Sequence, residues 1–542
     1  MKERAFEYKG IYGIILLLFL VFLFIPLGSL LAKSFISDSG GITFTNYITI
    51  FQSSEFVTAL IHSLTVSAVT ALCSVVLAFL MAYTLHFTNV WKFLKKGISL
   101  IAVLPMLLPT ITYGFAIIYS FGKQGLLTKL VGFQFFDVYG FQGILLGYVI
   151  YTLPIAFMLM NNAMKQIDKK YITVSRLMND SAFKTFKTTV LRPLLGTLAI
   201  AFIQSFFLSF TDFGIPASVG GKYHVVASLL YSYMLGSIPD FASGSVIAII
   251  MLIPSIISIA LMRYMERYDI RYKQINEVVL KENKIRDIVS GVLSVLICIG
   301  ILSIFMVIIV VPFVTQWPYQ IQFTLQHFKD VFADETLVQV FKNTLIMAVC
   351  TSVLGTLVSY GAALVSQRSH LKKGIRHSLD SLSLITNTIP GMVIGISYLF
   401  LFSGTSLQNT LLIMILCNIV HFFSTPYLMM KETLGKMNSS FETTARLMKD
   451  SWLKTVLRVI TPNAKSSLIE VFGYYFINSM VTVSAIIFLA GARTMVITTK
   501  IKELQYFAKF DQIFVLSLFI LVANLAVKLV CSYIQKKEKK RV

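Results

Sequence analysis

The chain has 542 residues, of which 56% are hydrophobic and only 13% charged, with a formal net charge of +22. Soluble domains carry about 25% charged residues, so a string of water-soluble domains is excluded. The positive charge therefore marks membrane orientation rather than nucleic-acid binding.

Apolar runs long enough to cross a bilayer recur along the chain, as in "IVSGVLSVLICIGILSIFMVIIVVPFV" at 288–314. A transmembrane barrel would instead alternate over segments of about 10 residues. The expected fold is an all-α integral membrane protein with about twelve spans: 11–33, 57–85, 98–121, 141–163, 194–213, 243–263, 288–314, 339–365, 378–402, 409–430, 466–490 and 510–533. The first run follows Lys2, Arg4 and Lys9 and reads as a retained helix, since no A-x-A-like site follows it. With the N-terminus in the cytoplasm, 37 of the 47 Lys and Arg residues fall on that side. The excess holds loop by loop, so both termini are expected in the cytoplasm.

Cys73, Cys298, Cys350, Cys417 and Cys531 are scattered through apolar runs and read as small buried hydrophobes. His62, His224, His327 and His421 are isolated, and no residues show metal-ligand spacing. "FGKQ" (121–124) and "LGKM" (434–437) lack the upstream glycine and hydroxyl of a P-loop, so no ATPase is expected in this chain. Prolines 105, 109, 154, 390 and 426 are candidate kinks.

The chain repeats itself. "FTNYITIF" (44–51) is echoed by "FTLQHFKDVF" (323–332), and "LPMLLPTITYGFAIIYSFG" (104–122) by "ITNTIPGMVIGISYLFLFSG" (385–404). "TVSRLMNDSAFKT" (173–185) returns as "TTARLMKDSWLKT" (443–455), identical at seven of the last eleven positions. Six segments in the same order make each half. Six is even, so the duplication is parallel. The expected organisation is a first half over 1–265, a charged cytoplasmic linker over 266–287 and a second half over 288–542.

The repeated polar segments carry the candidate site. Val174, Leu177 and Met178 fall at helical spacing, as do Thr444, Leu447 and Met448. Asp180-Ser181 and Asp450-Ser451 can each cap a following helix, which in the second copy opens on Trp452. Two short amphipathic helices with a tight bend suit a knob for a partner's groove. Two such knobs suit a dimeric partner.

These segments resemble the EAA loops of permeases from type I, binding-protein-dependent ABC importers. Thr173-Val174-Ser175 and Thr443-Thr444-Ala445 stand at the E-A-A positions, and Asn179 and Lys449 stand at the family's glycine. Asn179 tolerates a left-handed bend, whereas Lys449 is expected to bend differently. The resemblance covers most of residues 42–533. It implies that each loop docks on one subunit of an ATP-binding-cassette ATPase homodimer on the cytoplasmic side. ATP and magnesium would then belong to that partner, and this chain would hold no cofactor. It also implies a solute-binding protein outside the cell or in the periplasm, and a place in the bacterial cell membrane. "FTDFGIPASVGG" (210–221) resembles ferric-iron and phosphonate members, and "NSMVTVSAIIFLAG" (478–491) resembles a helix of the phosphonate ones. Ferric iron or 2-aminoethylphosphonate is the implied solute, with thiamine the third fused subclass. Asp212 is a candidate contact for solute or binding protein, or a helix terminus facing water. The rival readings are a secondary transporter of two parallel six-helix halves, which would need intramembrane coupling charges, a membrane-embedded enzyme, and an exporter subunit.

Overall fold

The computed structural model describes residues 2–36, 40–268 and 282–539. Most of the expected linker, 266–287, lies outside them. Among the described residues, eight helices are long and apolar enough to span a membrane: Phe6–Ser34, Ser54–Phe87, Phe141–Lys165, Ala182–Thr211, Phe241–Tyr268, Lys284–Phe313, Glu335–Arg368 and Phe510–Glu538. Each lies on a predicted segment.

Four predicted segments are not continuous spans. Residues 98–121 form Lys92–Leu107 and Thr110–Val131, bent by 111°. Residues 378–402 form Lys373–Thr388 and Gly391–Phe402, bent by 99°. The reason is local. A proline forces the residue before it out of the helical region, and Leu108 and Ile389 are both extended ahead of Pro109 and Pro390. Each proline then leads the next helix, where its missing N–H costs nothing. Residues 409–430 form Leu411–His421 and Ser424–Lys436, bent by 55°. Pro426 sits in the first turn of the second piece, whereas Pro154 in the other half stays inside the unbroken helix Phe141–Lys165. In the last, 466–490, the helix Thr461–Val481 stops at Thr482, which is extended, and irregular turns follow to residue 490. Lys465 and Glu470 interrupt its apolar run.

In lipid, helices associate through small residues that allow close approach and through interhelical hydrogen bonds. The Ser54–Phe87 helix buries Ala59, Ser63, Ser67, Ala71, Ala78 and Ala82. This stripe packs on Phe141–Lys165, with Ser74 and Thr152 hydroxyls 2.7 Å apart. Glu335–Arg368 repeats the pattern. A Cβ at Gly355 would lie 2.7 Å from the Tyr475 ring, whose hydroxyl is 2.9 Å from Ser359 Oγ.

The two halves interlock. The N-terminal helix reaches across to the second half, while its later part also packs on Phe241–Met265 of its own: Tyr12 Oη lies 3.0 Å from Ser378 Oγ, and Phe19 meets Phe423 edge to face. The helix that opens the second half packs on the first. Thr84 Oγ1 lies 2.7 Å from Ser294 Oγ, and Trp317 Nε1 donates to the Tyr119 carbonyl at 3.1 Å. Each interhelical hydrogen bond in a membrane contributes roughly 1 kcal/mol. The halves are units of sequence, but the first helix of each also packs on the other in space.

Candidate functional site

Both polar repeats fold the same way. The first runs as helix Lys170–Leu177, a bend, then helix Ala182–Phe186; the second runs as Ser440–Leu447, a bend, then Trp452–Thr455. Asn179 has φ 61° and Lys449 φ 58°. In the first copy Asn179 N–H donates to the Arg176 carbonyl at 2.9 Å and Asp180 N–H to the Ser175 carbonyl at 3.1 Å. That pair of bonds is the Schellman C-cap, which requires a left-handed residue at its hinge. In the second copy Asp450 N–H donates to the Ala445 carbonyl at 2.9 Å.

The expectation that Lys449 bends differently is therefore corrected: hydrogen bonding of the turn overrides the preference of the residue. The left-handed region costs a non-glycine residue about 1 kcal/mol. Lys449→Gly is accordingly expected to stabilise the protein by about 0.5–1 kcal/mol, read as a raised midpoint in equilibrium unfolding. An unchanged or lowered midpoint would show that the Lys449 side chain compensates the strain.

The next turn is capped as its sequence suggests, by serine rather than aspartate. Ser181 Oγ accepts from Lys184 N–H and Ser451 Oγ from Lys454 N–H, each at 3.3 Å. The aspartates brace the bend. Asp180 pairs with Lys184 at 2.6 Å and accepts from Ser175 Oγ at 2.7 Å; Asp450 pairs with Lys454. Lys184 first, then Ser175, hold the Asp180 carboxyl below the usual carboxylate range. Past the cap, a five-residue π-turn in each copy (Lys187–Leu191 and Val456–Ile460) precedes Pro193 or Pro462. The wider turn absorbs the proline's missing donor, so each helix continues toward the membrane without a break.

At the tip of each loop stand apolar side chains in the open. Leu177 is 82% exposed and Met178 71%; Leu447 is 81% and Met448 71%. Val174 and Thr444 are also exposed. Trp452, expected on the same face, is not there. It is half-buried against the N-terminal helix, edge to face with Tyr8 at 5.3 Å between ring centroids. It opens the second helix and turns back toward the body of the protein.

One anchor was not legible in the sequence. Arg368, the last residue of Glu335–Arg368, forms a bidentate ion pair with Glu442 and donates to the carbonyls of Leu434, Met437 and Asn438. The Arg368 and Glu442 side chains are only 5% and 15% exposed. In the first half the matching positions are Phe87 and Ile172, both buried. An ion pair in one half thus stands where the other half has two apolar side chains. The partners are 74 residues apart, so no local pattern announces them.

At the other end of the molecule lies Asp212. The Ala182–Thr211 span has 30 residues, about 45 Å of helix, and separates it from the bend at Asn179. Asp212 is 9% exposed. Its carboxylate accepts from Ile215 N–H at 2.9 Å and also from the Thr110 hydroxyl and Gly214 N–H. The expected terminus in water is corrected by this burial, and the carboxylate oxygens are occupied by donors of the chain itself. Asp212 is a buried cap for the short helix Gly214–Val219. Gly114 lets that helix approach, because a Cβ there would meet Ser218 Oγ. Gly395 does the same for the matching segment, where the obstacle would be the Ala485 carbonyl.

Beside this cap, a cavity of about 420 Å³ opens between the halves. Tyr139, Tyr223, His224 and Tyr231 line it from the first half, and Lys502 and Gln505 from the second. Among the described residues, no group of three His, Cys, Asp or Glu side chains is placed to hold a metal ion.

The family model described as "Binding-protein-dependent transport system inner membrane component" matches the chain twice, over residues 74–268 and 355–540. Each match leaves out the first helix of its half, the one that crosses to the other half. A ferric transport system permease protein of Actinobacillus pleuropneumoniae is 26% identical over 92% of this chain and 74% of its own length. A putative ferric transport system permease protein of Haemophilus influenzae is 25% identical over 92% of this chain and 80% of its own. A spermidine/putrescine transport system permease protein homolog of Mycoplasma pneumoniae is 24% identical over 49% of this chain but 93% of its own length, as a single half would be.

Proposed function

The chain belongs to the inner membrane components of binding-protein-dependent transport systems, as a fused two-half ABC importer permease, and from that premise we propose that it imports ferric iron. The observation that carries the solute is the pair of ferric permease relatives matching across both halves. The single-half relative is named for polyamines and matches only about half of the chain. Iron is therefore preferred to 2-aminoethylphosphonate, and the secondary-transporter alternative falls with the family membership.

In this reading the exposed tips Leu177–Met178 and Leu447–Met448 seat in grooves of two ATPase subunits, with Val174 and Thr444 flanking them. Helix-in-groove docking uses apolar anchors of this kind. Asn179 and Lys449 set the bend, and Asp180, Ser181, Asp450 and Ser451 fix the helix that carries motion inward. Trp452 ties the second loop to the N-terminal helix. The loops and both termini face the cytoplasm, and a binding protein delivers solute to the opposite face. ATP and magnesium act on the ATPase.

Cells carrying the complete transporter are expected to accumulate radioactive iron in a manner that depends on this chain. Excess 2-aminoethylphosphonate is expected to leave that uptake unchanged. Suppression of uptake by the phosphonate would move the solute assignment to the other subclass.

A further inference from the structure

The cavity holds one ammonium without a carboxylate partner, that of Lys502, which lies over the Tyr231 ring at 6.0 Å from its centroid. Lys502 Nζ donates to the Ala217 carbonyl at 3.2 Å and to Gln505 Oε1 at 2.9 Å, both neutral. Gln505 Nε2 holds the same carbonyl at 2.9 Å. Glu503, next in the chain, is turned to Lys500 at 2.6 Å. Among the described residues no carboxylate lies within ion-pair distance of Lys502, and no carboxylate lines the cavity. The remaining polar lining consists of tyrosine, serine, glutamine and histidine side chains. A half-buried ammonium without a counter-ion is costly unless an anion completes it. It also repels a bare trivalent cation at short range.

We propose that this cavity is an oxyanion subsite on the solute path, with Lys502 supplying the charge and Gln505 aligning it. The ligand is an oxyanion, either free or as the co-ligand of the metal. This deepens the importer reading and rests on it. The second half alone provides the charge, since Tyr231 matches Lys502 when the Val225 and Val496 helix caps are aligned, and it also lines the cavity.

The test uses the full chain in lipid nanodiscs, with radiolabelled inorganic phosphate and ferric citrate as probes in equilibrium dialysis. The wild type binds at least one of them. Lys502→Gln, which can still donate to the Ala217 carbonyl, weakens that binding about tenfold, and Lys502→Arg retains it. Gln505→Glu keeps the lysine but sets a carboxylate beside it, and it abolishes binding. Unaltered thermal midpoints show that the variants are folded. Binding of phosphate assigns the site to a free oxyanion, and binding of ferric citrate alone assigns it to the metal's co-ligand. Binding of neither probe, or equal binding by Lys502→Gln, overturns the proposal. Iron uptake by the complete transporter is read separately: uptake without anion binding removes the subsite and keeps the importer, and anion binding without iron uptake does the reverse.

Discussion

Changing Leu177, Met178, Leu447 and Met448 together to Asp is expected to release the ATPase from the chain and abolish ATP-driven uptake. These four side chains are 71–82% exposed at the tips of two loops, so they contribute little to folding as the chain stands. Burying a Leu or Met side chain stabilises a contact by about 1.5–3 kcal/mol, and a carboxylate in its place must also be desolvated. Each loop therefore loses at least about 3 kcal/mol, more than a hundredfold in affinity. Altering one loop leaves the other attached, but the gain from two linked contacts is lost. Co-purification through a tag on this chain reads the effect, and the thermal midpoint of the chain alone should not move. Trp452 is left out of this set because it packs on Tyr8; Trp452→Asp would disturb the fold as well as the dock. A complex that survives all four changes would sink the docking assignment.

The second large effect concerns Arg368 and Glu442. Arg368→Ala leaves a mostly buried carboxylate without its partner and releases three carbonyls next to the second loop. Breaking one side of a buried ion pair costs about 3–5 kcal/mol. Replacing both sides with apolar groups is often nearly neutral, and the first half already has that solution in Phe87 and Ile172. The double variant Arg368→Phe/Glu442→Ile is therefore expected to fall within about 1 kcal/mol of the wild type, while either single change is severe. Equilibrium unfolding in mixed micelles measures all four corners of the cycle. Equal, additive losses for the two single changes would mean that the pair is not the anchor inferred here.

The difference between what the sequence discloses and what it hides has a physical cause at each place. Long apolar runs disclosed the spans, because every backbone polar group in a bilayer must be satisfied inside its own helix. The repeat disclosed two equivalent loops, and a cap at each Asp-Ser pair followed from local spacing, but the choice of serine over aspartate did not. The sharp bends at Pro109 and Pro390 were only candidates, since Pro154 shows that a proline can also stay inside a helix. The intrinsic preference of Lys449 argues against a left-handed backbone, yet the turn's hydrogen bonds hold it there. Contacts between distant parts were not legible: Arg368 with Glu442, Tyr8 with Trp452, and the first helix of each half with the other half. Asp212 carried a polar signal, but only the fold shows that its partners are Thr110, Gly214 and Ile215.

As proposed, this chain is the membrane pathway of an ATP-driven importer of iron. The most direct test is iron accumulation in proteoliposomes that contain the chain, its ATPase and its binding protein. Accumulation is expected to require ATP inside and binding protein outside, and to be lost with the four Asp substitutions at the loop tips. Accumulation driven by an ion gradient without ATP, or undiminished by those substitutions, would contradict the proposal.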